Sequence, residues 1–198
     1  MLVFFFFLAT FVQNVYAKGD RIPLFADRTD LVVVHSSELS TVHELVFAIP
    51  QKNIDTLEKV LLDISDPSSI NYAKHWTMEE VGKTIENKVS HDVVMDYLLS
   101  CDVDIVSKSA YGEYITASAN ISTWNIMLGT TFHHVNKIHD NGLVEPLIRA
   151  EEYFIPRLLH DHLDYVLNIV EIPKSIAAVR DTRIRDEKLP YSYGFLLP

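Results

Sequence analysis

One cysteine, Cys101, in 198 residues excludes an intramolecular disulfide and every multi-cysteine zinc or iron–sulfur arrangement. Glycine is scarce and scattered, at 19, 82, 112, 129, 142 and 194, so no glycine-rich loop is available to cradle a phosphate. Basic residues are outnumbered: 17 Lys and Arg stand against 27 Asp and Glu, for a formal charge of −10. A diffuse cationic surface able to track phosphates is therefore lacking, and nucleic acid is not an expected partner. No serine sits in G-x-S-x-G, the strained elbow that exposes a nucleophile in many hydrolases.

What is there is the composition of a compact fold, 48% apolar and 22% charged. Residues 1–17 (MLVFFFFLATFVQNVYA) carry an uncharged apolar run from Leu2 to Val12, about half of the roughly 20 residues a transmembrane helix needs. Small side chains at 15 and 17 then match a signal peptidase site. Cleavage is expected between Ala17 and Lys18, leaving no membrane span and a secreted, lysosomal or vacuolar chain. Residues 18–42 read as a lead-in, 43–173 as the folded body and 174–198 as a charged tail.

Within the body, ELVFAI (44–49), stopped by Pro50, suits a buried strand. Asn53 is the expected cap of a helix whose apolar positions Ile54, Leu57, Leu61 and Ile64 follow helical spacing. Thr77 and Glu80 form a capping box for a second helix, and Ser90 is the expected cap of a third that carries Val94, Leu98 and Cys101 inward. Residues 102–107 and 113–119 read as strands, the second alternating Ile115 and Ala117 with Tyr114, Thr116 and Ser118. A short helix from Asn120 or Ser122 ends at Gly129, followed by a strand over 130–135 and extended chain over 147–155 and 162–169. Strand, helices, strand, strand, helix, strand is the order of an α+β, ferredoxin-like antiparallel sheet with helices on one face.

Nine histidines invite a metal reading. His133 and His134, adjacent on a strand, point to opposite faces, and His160 with His162 lacks a fixed third ligand. A secreted histidine-rich metal-binding module is thus the weaker alternative. Asn120-Ile-Ser122 is a glycosylation sequon that helix capping explains equally well. Collectively the histidines make charge pH-dependent, moving it from −10 toward −1 if all nine protonate near pH 5.

The run from Glu44 to Val81 says more. Asp66, Pro67, Ser68, Ser69, Tyr72, Lys74, His75, Thr77, Glu80 and Val81 lie in a stretch that follows a signature beginning D-P-S-S-x-x-Y-x-K/H-x-L-T, with Trp76 in place of Leu. It resembles the activation prodomain of sedolisin-type serine peptidases, the family of kumamolisin and tripeptidyl-peptidase I. Phe132-His133-His134 and His162 to Val166 resemble later prodomain segments, so the likeness covers about residues 43–173.

The resemblance implies a ferredoxin-like prodomain that assists folding of a peptidase domain in cis or in trans, occupies its cleft and leaves at acid pH. The family's catalytic Ser-Glu-Asp set needs E-x-x-x-D and Gly-Thr-Ser, and neither occurs here. No catalytic residue is expected, nor a cofactor, because the family's calcium site belongs to the catalytic domain. Arg180, Arg183 and Arg185 mark the tail as a candidate cleft-binding segment or a plain linker. A different reading is the amino-terminal fragment of a complete peptidase precursor.

Overall fold

The computed structural model describes residues 28–173. The signal segment with Ala17 and Lys18, the first part of the lead-in, and the tail with Arg180, Arg183 and Arg185 lie outside the described residues. Strands β1 (Leu31–Ser36) and β2 (Val42–Ala48) come first, then helices α1 (Ile54–Ser65), α2 (Met78–Ile85) and α3 (Lys88–Ser100). The hairpin β3 (Asp104–Lys108) and β4 (Tyr114–Asn120) leads into α4 (Ile121–Leu128). A second hairpin, β5 (His133–Ile138) and β6 (Val144–Arg149), and a 3-10 turn at Arg157–Leu159 precede β7 (Tyr165–Leu167).

Four strands form an antiparallel sheet in the order β3-β4-β2-β7. Counted along the chain, that places the strands second, third, first and fourth, the ferredoxin-like arrangement. Its first and second strands are joined by α1–α3, and its third and fourth by α4 plus the second hairpin. The class read from the sequence therefore holds, but the fourth strand is β7 and not the chain at 130–135.

That earlier stretch belongs elsewhere. Gly129 takes the left-handed cap of α4 at φ 57°, and Thr130 donates from its hydroxyl to the Glu152 carbonyl, so 129–132 turn instead of extending. The strand starts at His133 and pairs with β6 and with β1 in a separate sheet, order β1-β5-β6. Part of the expected lead-in is thus an edge strand, since Leu31–Ser36 finds a partner 100 residues away in the chain. The turn at Asp140-Asn141-Gly142 closes this hairpin, with Gly142 at φ 79° as its left-handed residue.

The core lies on one face of the four-stranded sheet. Alternate residues Leu45 and Phe47 of β2 and Ile115 and Ala117 of β4 are fully covered, as period-2 alternation dictates. Val94 and Leu98 of α3, and Ile121, Trp124 and Leu128 of α4, pack into the same cluster. Each such large side chain contributes about 1.5–3 kcal/mol through the area it removes from water. Cys101, the C-terminal cap of α3, is half-buried against it. By contrast, α1 buries none of its twelve residues.

Two caps differ from expectation. Asn53 has a left-handed backbone, φ 55°, and its side chain bonds the Thr84 carbonyl at 2.8 Å, linking α1 to the end of α2 instead of capping its own helix. In α3 the cap is Asn87, whose side-chain oxygen accepts from the Ser90 amide at 3.3 Å. The Ser90 hydroxyl is 3.0 Å from His162 Nδ1, so it ties the helix to the chain before β7.

Candidate interaction surface and signature loop

The signature residues run from the loop that ends α1 into the first turn of α2, and several of their polar side chains bond within this stretch or back to Asp63 at the end of α1. The Asp66 carboxylate accepts from the Ser68 amide at 2.8 Å and its hydroxyl at 2.7 Å, an Asx turn made straight after the helix. Pro67 cannot continue the helix. The Ser69 hydroxyl donates to Asp63 at 2.5 Å and accepts from the Asn71 amide at 3.0 Å, and the Asn71 side chain donates to Asp63 at 2.7 Å. The Tyr72 amide donates to the Ser69 carbonyl and the Ala73 amide reaches back to Ile64 at 2.9 Å, with Ala73 in the left-handed region at φ 59°. Lys74 Nζ lies 3.4 Å from the Asn71 side-chain oxygen.

The capping box is complete. The Glu80 amide donates to the Thr77 hydroxyl at 3.2 Å and the Thr77 amide to the Glu80 carboxylate at 2.7 Å. Hydrogen bonds to the charged form hold three carboxyls below their usual range: Asp63 through Ser69 and Asn71, Asp66 through Ser68, and Glu80 through Thr77. Groups with depressed folded values stabilise above the ordinary carboxylate range and lose that contribution as pH falls through the lowered values. The clasp is therefore intact at neutral and mildly acidic pH. Replacing Thr77 by alanine removes the cap and is expected to cost about 1 kcal/mol, read as a lowered urea midpoint at unchanged m-value.

What the loop builds is a groove. His75 and Trp76 come off the clasp to line it together with Ile54, Leu57, Leu61 and Ile64 of α1 and Val81 of α2, around 410 Å³ with an almost wholly apolar wall. Beside it Ile54, Leu61, Leu62 and Met78 are exposed, Met78 at 80%. A one-sided helix whose apolar residues are exposed (Ile54, Leu61, Leu62) or only half-buried (Leu57, Val60, Ile64) is a surface awaiting a partner more than a solvent-facing helix. The expected signature thus holds together locally, while the groove it frames was not legible as a surface.

The remaining candidates disperse. His134 stacks edge-on against His35 of β1 at 4.7 Å, and among the described residues no three His, Cys, Asp or Glu converge to hold a metal ion. His139 lies 3.0 Å from Glu145 and His91 3.2 Å from Asp92. Asn120 is exposed at the start of α4 and makes no side-chain capping bond, so capping does not account for it. His43 is half-buried, 3.0 Å from the Asn168 carbonyl and against Phe132; burial, aided by the charge of Arg149, pulls its pKa down despite the carbonyl and Glu44.

Across residues 30–172 the sequence matches the family described as pro-kumamolisin, activation domain. The chain belongs to that family. Its relatives include tripeptidyl-peptidase 1 of Dictyostelium discoideum, 28% identical over 66% of this chain, and physarolisin of Physarum polycephalum, 32% identical over 64%. Tripeptidyl-peptidase 1 of Homo sapiens is 27% identical over 65%. The match spans 22–23% of the length of these relatives, so the pro-kumamolisin-type body corresponds to a minor part of each. Among the described residues no helix is long and apolar enough to cross a membrane.

Proposed function

We propose that the chain assists folding of a sedolisin-type serine peptidase domain and inhibits it by lying against its substrate cleft, in the secretory or lysosomal pathway, with release in acid. The observation that carries this reading is the activation-domain match over a body whose α1–α2 groove is left uncovered. A folded body supplies contact area and an extended segment pairs with a cleft through its main chain, the two parts such an inhibitor needs. The body makes no catalytic claim of its own, because the chain lacks E-x-x-x-D and Gly-Thr-Ser.

A second reading has its own support: the match covers little more than a fifth of each relative, which favours the amino-terminal part of a tripeptidyl-peptidase precursor. The two differ in whether the peptidase domain acts in cis or in trans. An in-frame Gly-Thr-Ser region downstream in the gene supports cis action, and an authentic stop codon supports trans action.

The purified chain, assayed with a tripeptide reporter at acid pH, is expected to be inactive alone and to depress the activity of a sedolisin catalytic domain added at neutral pH. Leu61→Asp, which places a carboxylate in the apolar groove without removing a buried side chain, is expected to weaken that inhibition at least tenfold. Unaided cleavage of the reporter overturns the inhibitor reading, and undiminished inhibition by the variant removes the groove from the contact.

A further inference from the structure

Two cations of the three-stranded sheet are buried, Lys137 at 5% exposure and Arg149 at 8%. The register pairs His133 with Arg149, so Arg149, Val135 and Lys137 share one face of the β5–β6 hairpin, turned inward. Lone buried charges are strongly unfavourable unless hydrogen-bonded. Among the described residues neither cation has a carboxylate at ion-pair distance; both are met by main-chain carbonyls. Arg149 Nε donates to the Glu171 carbonyl at 2.5 Å and Lys137 Nζ to the Pro173 carbonyl.

The same short segment is held from its other side. The Glu171 carboxylate accepts from the amides of Asn168 at 2.8 Å and Ile169 at 3.1 Å, closing a turn in which Asn168 is left-handed at φ 72°. The Asn168 side chain donates to the Glu44 carbonyl at 2.7 Å, and the Ala150 amide donates to the Ile169 carbonyl at 2.9 Å. Carbonyls at 171 and 173 therefore receive side-chain donors two residues apart, as they would receive amides from a neighbouring strand.

We propose that Lys137 and Arg149 are positioning residues, a buried cationic clamp that sets the direction in which the main chain leaves the body at Pro173. In the inhibitor reading, on which this consequence rests, the clamp holds residues 171–173, the end of the described body, in the one course that the peptidase meets. Fixing that direction in advance removes orientational freedom that binding would otherwise have to take away.

The test compares the wild-type chain, Lys137→Met, which keeps the side-chain volume, and Lys137→Arg, which restores a donor. Hydrogen exchange is followed over 168–172 in each. Exchange there is expected to speed at least tenfold in Lys137→Met and to return toward wild type in Lys137→Arg; unchanged exchange in a variant that retains its far-ultraviolet circular dichroism overturns the clamp. Inhibition of a sedolisin catalytic domain is then measured for the full chain and for a chain ending at Pro173. Lys137→Met is expected to weaken inhibition at least tenfold in the full chain and not in the shortened one. An equal loss in both lengths, or none in either, overturns the positioning role. Failure of the wild-type chain to inhibit sinks the peptidase reading instead, while the exchange data still decide the clamp.

Discussion

Trp124→Ala is expected to remove a large part of the stability of this fold, about 4–6 kcal/mol. The indole is fully buried on α4, tilted against Phe47 of β2 at 5.9 Å between ring centroids, and its Nε1–H donates to the His43 carbonyl at 2.8 Å. Truncating a buried aromatic costs about 3–5 kcal/mol, and the lost hydrogen bond adds about 1 kcal/mol. Against a typical total of about 5–15 kcal/mol, the variant is expected to melt about 10 °C or more below wild type, or to be unfolded at 37 °C. Trp124→Phe keeps most of the apolar volume and loses only the donor, so it should fall between the two. Thermal melts of all three decide the matter; an alanine variant within about 2 °C of wild type refutes the placement of Trp124 at the centre of the core.

Stability is also expected to fall as pH drops below about 6.5, with His43 as one identifiable cause. Burial depresses its folded pKa below the ordinary value near 6.5, so between the two values the unfolded chain binds more protons than the folded one. Stability therefore rises with pH across that window and is lost on acidification through it, at up to about 1.4 kcal/mol per pH unit for one proton. His43→Gln keeps an N–H able to reach the Asn168 carbonyl and cannot titrate. Urea midpoints measured at pH 7, 6 and 5 should decline less in this variant than in wild type; parallel declines would exonerate His43.

Legibility followed the range of the interaction. The capping box at Thr77 and Glu80 and the helix stop at Gly129 depend on contacts within a few residues, and both stand as read. Alternation in β4 identified the buried face correctly, because period 2 is a property of the strand itself. Asn53 and Ser90 misled because good capping side chains compete for other partners, here the Thr84 carbonyl and His162. Lys137 and Arg149 gave no sign of burial, since a cation in a strand ordinarily faces water.

The sequence by itself determined the start of α2 at its capping box, the stop of α4 at Gly129, the α+β class, and the family whose model matches residues 30–172, since local backbone preferences and a ten-residue signature are written in near-neighbour chemistry. Only the tertiary structure decided that β1 joins β5 across 100 residues, that β7 completes the ferredoxin-like sheet, and that α1 stays uncovered. It also brought two buried cations onto the carbonyls of Glu171 and Pro173. Partner choice among strands and the covering of a side chain depend on which distant segments arrive together, and periodicity along one stretch of chain carries no information about that.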